Sequence, residues 1–314
     1  MVTTSIPFVT AEAVADSLSP AEAVAAIEDA LRAGVDPAAD FGRQIIDVRH
    51  GQLLLMPAQS SSSAGVKVVT VSPDNPTRGL PRIQAVYVLF DAQTLTPRAL
   101  LDGAALTTLR TPAVSVAAVK PALLAKDTPL HVTVFGGGPQ ATGHTATLAD
   151  VTQGHRAIAS TTYVVRNPAA TALPPGCTVV AANSPEVALA VHRADVIVCA
   201  TSASDPVFDS ADTKPDVIVM AVGSHEPGRR EVDTRLAARA QVIVEDRDTA
   251  LRESGDVVIA MAESGLRPDD LIPMRDIVTG ATTLRPDEAV FFKGSGMSWQ
   301  DIVVADAIAA RLTS

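Results

Sequence analysis

Three cationic side chains in the first part of the chain lie where a solvated surface is not the natural explanation. Arg43 precedes a strand-like run, and Arg110 lies inside a motif-rich segment. Lys67 interrupts the apolar run at positions 65–69, so it either faces solvent from its strand or is buried with an anionic partner. Taken singly, each is more typical of a surface charge. A local cluster of such cations is compatible with a small anionic ligand.

A glycine-rich turn carries the most specific local signal. The apolar strand predicted at 131–135 leads into Gly136-Gly-Gly138-Pro139-Gln140-Ala141, which fits the pattern G-x-G-x-x-A. The first glycine permits the tight turn, the second lets backbone amides approach a pyrophosphate, and the small third residue permits close packing of helix on strand. Because the turn follows a strand and opens a helix in a chain of βα units, it predicts a dinucleotide-binding site.

The end of the second strand of such a domain selects the cofactor. An acid there binds the ribose hydroxyls of NAD, whereas an arginine accommodates the 2′-phosphate of NADP. The segment Tyr163-Val-Val-Arg166-Asn167-Pro168 contains no acid. It therefore favours NADPH, with NADH as a possible substitute, and the alternative is that Arg166 is a solvated loop residue.

Two patterns of elements position these residues. A helix with a capping box begins at Ser19-Pro20 and stops at Gly34, and strands follow at 44–48, 52–56, 65–71 and 84–91. Short Val-rich runs then alternate with helical stretches, which indicates a parallel sheet. The predicted fold is α/β: a Rossmann doubly wound parallel sheet plus a discontinuous α+β domain for substrate binding and dimerisation. The predicted boundaries are 1–121 completed by 293–314, and 122–292, with the closing helix at 298–312 packed back on the first domain.

Composition excludes several classes of function. The 314 residues carry a net charge of −10, so no basic stripe is available for nucleic acid. No apolar run reaches the roughly 20 residues of a membrane span, and no signal peptide is recognisable, so we predict a cytoplasmic protein. Cys177 and Cys199 lie in strand-like runs and fit no metal motif, which predicts two reduced core thiols and no metal.

The order of motifs along the chain resembles the ornithine cyclodeaminase/μ-crystallin family. The resemblance covers nearly the whole chain and rests on these segments: Gly65-Val-Lys67, Asn75–Pro81, Asp91, Asp102-Gly103, Leu106–Ala113, Gly136–Ala141, Val222–Glu231, Lys293–Gly296 and Trp299-Gln300-Asp301. It implies that both chain ends build one domain, which binds substrate and forms a homodimer, with a Rossmann domain between them.

The resemblance also implies roles for individual residues. Arg43, Lys67 and Arg110 would hold the carboxylate region of the substrate. The dinucleotide site would be lined by Arg110, Thr111, Gly136, Gly138, Pro139, Gln140, Arg166, Asn167, Thr201, Val222, Gly223, Ser224, His225, Arg229 and Ser295.

Two departures narrow the function. Family members that look like cyclodeaminases carry a glutamate at the position of Leu54 and an aspartate at that of His225. Leucine cannot pair with an ammonium group, so this chain is more similar to the reductases of cyclic 2-imino acids. The predicted reaction is NADPH-dependent reduction of Δ1-pyrroline-2-carboxylate to L-proline, with Δ1-piperideine-2-carboxylate to L-pipecolate as a second substrate.

The residues leave two questions open. Hydride transfer to an imine requires a proton donor, and Lys67 and His225 are both candidates for this catalytic role. An NAD-dependent ornithine cyclodeaminase or amino-acid dehydrogenase is one alternative function. A non-catalytic, NADPH-dependent small-ligand-binding protein is another, because all three functions share the fold.

Overall fold

The computed structural model describes residues 5–312, which form two compact units. Within this range, unit 1 comprises residues 5–110 with 297–312, and unit 2 comprises residues 111–296. The domain boundaries at 121/122 and 292/293 stay a prediction, and residues 1–4 and 313–314 of that prediction lie outside the described residues. Within the described range, no helix combines the length and apolar character that crossing a membrane requires.

Unit 1 is an α+β unit built on a six-stranded sheet. Its strands are β1 (Phe8–Val9), β2 (Gln44–Val48), β3 (Gly51–Gln59), β4 (Ser63–Val71), β5 (Ile83–Asp91) and β6 (Pro97–Asp102). They lie in the order β1-β6-β5-β4-β3-β2, and every pair except the parallel β1–β6 is antiparallel. The prediction of a largely antiparallel sheet is confirmed.

The predicted first capping box is present in the structure. Helix α1 (Ala11–Ser17) precedes α2 (Pro20–Arg32), and the Ser19 side chain accepts from the Glu22 amide while the Glu22 carboxylate accepts from the Ser19 amide. These two bonds satisfy amide groups that a helix start otherwise leaves without partners. Gly34 follows the helix with φ +105°, a conformation that favours glycine. Helix α2 therefore begins and ends where the sequence predicts.

The chain end returns to unit 1 as predicted. Helix α10 (Ser298–Leu312) packs against α2, β3 and β4. Its first turn is fixed by Asp40, whose carboxylate accepts from the amides of Ser298 at 3.0 Å and Trp299 at 2.9 Å. A carboxylate in this position also interacts favourably with the helix dipole.

Unit 2 contains an eight-stranded, entirely parallel sheet. Its strands are β7 (Leu130–Phe135), β8 (Ile158–Val165), β9 (Thr178–Ala181), β10 (Val196–Cys199), β11 (Ile218–Ala221), β12 (Gln241–Val244), β13 (Ile272–Pro273) and β14 (Val290–Lys293). The order is β13-β12-β14-β11-β10-β7-β8-β9. The strand order reverses between β7 and β10, which is the point where doubly wound folds bind ligands at the carboxyl edge. The Rossmann prediction is confirmed.

Several elements were missed from the sequence. The missed helices include α3 (Gly103–Leu123), which contains Pro112 and Pro121 and crosses the unit boundary. They also include α6 (Thr234–Arg239), α7 (Arg247–Glu253), α8 (Gly255–Ser264) and α9 (Met274–Thr279). The remaining helices of unit 2 are α4 (Pro139–Thr152) and α5 (Glu186–Arg193). Positions 113–119 of α3 are all buried, so no polar face marks the helical period.

One prediction about the cysteines was wrong. Cys199 is buried in β10, but Cys177 lies part-exposed in the turn before β9 and is not a core thiol.

Candidate active site

In unit 1, Lys67 is directed to the buried face of the sheet. Strand β4 alternates between buried and half-buried positions, and Lys67 falls in the buried set with only 2% of its surface exposed. Alternation of side chains along a strand places every second residue on the same face. Of the two possibilities that the sequence leaves for Lys67, the structure shows the buried one.

The anionic partner of Lys67 is Asp301, in the first turn of α10. Its carboxylate is fully buried, with one oxygen 2.7 Å from the Lys67 ammonium and the other accepting from Arg110 Nε at 3.0 Å. The Gln300 side-chain oxygen accepts from a second nitrogen of Arg110 at 2.6 Å, and the Thr107 hydroxyl accepts from Lys67 at 3.3 Å. In the sequence, Asp301 stands out only as part of the motif Trp299-Gln300-Asp301, although a buried lysine requires such a partner.

The electrostatics of this cluster favour the binding of an anion. Burial and the neighbouring charge of Arg110 lower the pKa of Lys67 to about 8, while Asp301 opposes the shift and Arg43 adds to it. The three predicted cations are thus close enough to influence one another, and one buried carboxylate bonds to two of them. The excess positive charge would be reduced by a carboxylate ligand.

Leu54 lies on the same face of the sheet as Lys67. Leu54 of β3 is in register with Val69 of β4, and Met56, two residues further along, is in register with Lys67. Leu54 and Lys67 are therefore diagonal neighbours across the two strands. The position that departs from the cyclodeaminase pattern lies beside the cation cluster and presents an apolar side chain to it.

In unit 2, the glycine turn has the geometry that a pyrophosphate requires. Gly136 has φ +114°, and a Cβ atom there would lie 2.4 Å from the Ala200 carbonyl oxygen. Gly138 is the N-cap of α4 without a side-chain cap, and a Cβ atom at Gly138 would meet nothing within 4 Å. Ala141 is fully buried against the sheet. The turn therefore leaves open space at a helix N-terminus, which fits the dinucleotide.

The end of β8 carries the residue predicted to select the cofactor. Arg166 and Asn167 directly follow the strand and are exposed. Within the described part of the chain, Arg166 makes no hydrogen bond or ion pair, so its guanidinium is available to a ligand. No acidic residue occupies this strand end, in agreement with the sequence pattern.

A buried carboxylate connects the loops that follow β10 and β11. One oxygen of Glu231 accepts from both the amide and the hydroxyl of Thr201 at 2.7 Å, and the other accepts from the Gly223 amide at 2.7 Å. Burial raises the pKa of Glu231. A Cβ atom on Gly223 would lie 2.0 Å from the Thr201 carbonyl oxygen, so only glycine fits. Glu231 thus holds two predicted cofactor-binding residues in place.

A second buried pair supports the next part of the same loop. Lys293, at the end of β14, donates to the Ser224 carbonyl oxygen at 2.7 Å and contacts the Asp256 carboxylate at 3.2 Å. The Ser224 hydroxyl donates to the Arg229 carbonyl oxygen at 2.7 Å. His225, between these anchored residues, is exposed at the carboxyl edge of the sheet. Buried hydrogen bonds therefore hold the segment 222–229 in place, while the side chain of His225 remains accessible to solvent.

Hydrogen bonds from two other side chains, Glu245 and His144, hold further predicted cofactor-binding residues. Glu245 accepts from the amide and hydroxyl of Ser295 at 2.9 Å. His144 is fully buried; its Nδ1 donates to the Gln140 carbonyl oxygen at 2.7 Å, and its Nε2 is 2.9 Å from the Ser115 hydroxyl. Burial lowers the pKa of His144 to about 4, so the ring is neutral and Nε2 is an acceptor facing the Ser115 hydroxyl, which also lies 3.0 Å from the Thr111 carbonyl oxygen. His144 is thus a structural residue.

The predicted site residues thus fall into two sets. Unit 1 holds Arg43, Lys67 and Arg110, and adds Asp301 and Gln300, which the sequence analysis did not assign. Unit 2 holds the remaining residues, which follow the carboxyl ends of its parallel strands or begin helix α4. Thr111 lies in the part of α3 that belongs to unit 2, four residues before Ser115.

Comparison with known proteins identifies the family. The family model described as "Ornithine cyclodeaminase/mu-crystallin family" matches residues 6–314. A Delta(1)-pyrroline-2-carboxylate reductase of Colwellia psychrerythraea is 30% identical over 279 residues, 84% of each chain. The mouse (Mus musculus) ketimine reductase mu-crystallin is 29% identical over 310 residues, 96% of each chain.

A solved structure shows the same fold over almost the whole length. The Delta(1)-pyrroline-2-carboxylate reductase of Thermococcus litoralis, in complex with NADH and L-proline, superposes with a TM-score of 0.84 at 24% identity and covers 98% of both chains. The predicted family is confirmed, and the predicted class of oxidoreductase agrees with the names of these relatives.

Proposed function

Because this chain belongs to the ornithine cyclodeaminase/mu-crystallin family, we propose that it reduces a cyclic 2-imino acid with NADPH. The substrate is Δ1-pyrroline-2-carboxylate, which yields L-proline, and Δ1-piperideine-2-carboxylate, which yields L-pipecolate, is a second substrate. Two relatives of the chain are named for the reduction of a pyrroline carboxylate or a ketimine. Both proposed substrates combine a carboxylate with an imine carbon that accepts hydride.

One observation carries the choice of reduction over deamination of a diamino acid. Leu54 lies on the same sheet face as Lys67 and beside the cation cluster. A second amino group on the substrate would need a carboxylate partner near this position, because a buried unpaired ammonium group is costly. An apolar side chain instead suits the methylene carbons of a cyclic imine.

Each residue of the cation cluster has a role in this reaction. Arg43 and Arg110 bind the substrate carboxylate and orient the imine carbon, through charge-assisted hydrogen bonds of roughly 1.5–3 kcal/mol each. When bound, NADPH supplies the hydride to that carbon and is oxidised to NADP⁺. Lys67 donates the proton to the imine nitrogen, so the C=N bond becomes a C–N bond with one added hydrogen on each atom.

The preference for NADPH rests on Arg166. Its exposed guanidinium follows the second strand of the parallel sheet, where a 2′-phosphate would lie. NADH is the weaker cofactor in this proposal, since the adenosine ribose of NADH lacks the group that Arg166 binds.

We further propose that the protein is a homodimer formed through β2. This strand lies at the edge of the unit 1 sheet and is exposed along its whole length. Ile45 and Val48 are 56% and 51% exposed, and the neighbouring Phe41 is 60% exposed. A bare apolar edge strand is a liability for a monomer and suits a second copy of the chain.

Initial rates of cofactor oxidation test the proposed reaction directly. We expect Δ1-pyrroline-2-carboxylate to be reduced with NADPH, more slowly with NADH, and no ammonia to be released from ornithine. Ammonia release from ornithine, without imine reduction, would establish the cyclodeaminase instead. Binding of NADPH without turnover of either substrate would establish the binding protein.

A further inference from the structure

The carboxylate of Asp301 lies at the centre of the cation cluster of unit 1. It is fully buried; Oδ1 accepts from Lys67 at 2.8 Å and from Arg110 Nε at 3.0 Å, and Oδ2 lies 2.7 Å from the Lys67 ammonium. Arg43, before β2, and Tyr87, in register with Lys67 on β5, also lie near Lys67. Asp40 and Asp306 lie further out and interact electrostatically with Tyr87. Burial raises the pKa of Tyr87, so its hydroxyl stays neutral at physiological pH. Asp301 is thus the carboxylate that directly compensates the buried ammonium group.

The position of this carboxylate is fixed from two directions. Asp40 accepts from the amides of Ser298 and Trp299 and so anchors the start of α10, one turn from Asp301. Gln300 holds a second nitrogen of Arg110, so the guanidinium plane is fixed at two atoms. Neither Asp301 nor Gln300 is exposed, so both act through the cations rather than on a ligand.

We propose that Asp301 is a positioning residue that keeps Lys67 protonated and orients Arg110, so that a buried ammonium group remains available as the proton donor. Without Asp301, Lys67 and Arg110 would be two neighbouring buried cations with no anion in contact, and the lysine would lose its proton more readily. This inference rests on the proposed function, in which the imine nitrogen takes a proton from Lys67 while the imine carbon takes hydride from NADPH. Lys67 then regains its proton from solvent.

The pH dependence of imine reduction tests this role. Because the protonated lysine is the active form, activity falls as pH rises through the pKa of Lys67, which is about 8. In Asp301→Asn this decrease should occur about 1–3 pH units lower, the usual effect of removing an opposite charge at this distance. At pH 8, where half of the wild-type lysine is protonated, kcat/KM should then drop about five- to five-hundredfold relative to wild type. Wild type and variant must be compared on the same substrate, because the imine also titrates.

Asp306→Asn is the matched control. It removes a carboxylate from the same helix, but Asp306 accepts from the hydroxyls of Ser60 and Ser62 and is not bonded to Lys67. Its decrease in activity should occur at the wild-type pH. The proposal is overturned if the decrease at high pH does not move in Asp301→Asn, or if it moves equally in Asp306→Asn.

A second measurement does not need activity. The ¹³Cε resonance of Lys67 reports its titration by NMR. Asp301→Asn is compared with wild type, and Arg110→Met/Asp301→Asn, which buries one cation fewer, is compared with Arg110→Met. In each pair Lys67 should titrate at a lower pH once the carboxylate is removed. Titration at an equal or higher pH overturns the proposal. If the wild-type chain reduces no cyclic imine, the proposed function fails, whereas this titration still decides the link between Asp301 and Lys67.

Discussion

The chain buries two lysines beside aspartates, one in each unit, and the two clusters differ in charge balance. Lys67 of unit 1 is 2% exposed and Lys293 of unit 2 is 1% exposed. Around Lys67, two arginines accompany a single buried aspartate. Around Lys293, the Asp256 carboxylate and the buried Glu231 carboxylate accompany a single cation.

The partners of the two aspartates also differ. Asp301 binds side-chain cations through both oxygens, whereas Asp256 uses one oxygen for the amides of Glu231 and Val232, at 2.7 and 2.9 Å. In the unit 2 cluster the buried charges are therefore balanced within the cluster, and their hydrogen bonds hold the loop that contains Ser224, Glu231 and Val232. The unit 1 cluster retains excess positive charge. Burial of a lysine alone does not indicate function; an unbalanced charge among buried groups does.

Lys67→Met should have the largest effect on turnover. Loss of a proton donor costs about 10²- to 10⁴-fold in kcat, while Asp301 keeps Arg110 as its partner, so the variant should fold and bind NADPH. Steady-state kinetics, with NADPH binding by fluorescence, measure both effects. The exposed Lys126, changed to Met, serves as the control and should retain activity. Wild-type turnover in Lys67→Met would show that the cluster is not the catalytic centre.

Lys293→Met should reduce stability instead. It leaves Asp256 buried without its cation, and breaking a buried pair typically costs about 3–5 kcal/mol. Chemical unfolding should detect this loss, whereas Lys126→Met, which breaks a more exposed pair with Asp216, should cost about 1 kcal/mol or less. If Lys293→Met were as stable as wild type, the distinction between the two clusters would be lost.

Arg166→Ala tests whether an exposed cation of unit 2, rather than the buried Lys293, binds a ligand. The efficiency with NADPH should fall about ten- to a hundredfold, because a charge-assisted hydrogen bond to phosphate is removed. The efficiency with NADH should remain nearly constant, and Arg32→Ala, an exposed arginine of unit 1, should change neither. An equal loss with both cofactors would contradict the role of Arg166 in selecting NADPH.

His225→Asn should have the smallest effect. His225 is the other candidate donor, but it is exposed, whereas Lys67 lies within the cation cluster. With Lys67 as the donor, the variant should lose less than about tenfold in kcat and keep the basic limb of its pH profile. A flattened profile would transfer the donor role to His225, whose type of side chain titrates nearest neutral pH.

Local patterns predicted much of the fold. The capping box of α2, the Val-rich parallel strands and the glycine turn follow from neighbouring residues, whose spacing decides the local conformation. Helix α3 was missed, because two internal prolines and a fully buried segment remove the usual helical signals. Strands β12 and β14 were missed as well, since short apolar runs are ambiguous without their neighbours in the sheet.

By itself, the sequence determined the family, the glycine turn and the candidate cations, because these depend on residue types at close spacing. The tertiary structure alone decided that Lys67 is buried and which carboxylate contacts it. Asp301 is 234 residues away along the chain and reaches Lys67 only when α10 packs on the sheet. The protonation of a buried group depends on the charges that folding brings within a few ångströms of it, and that distance cannot be predicted from neighbouring residues in the sequence.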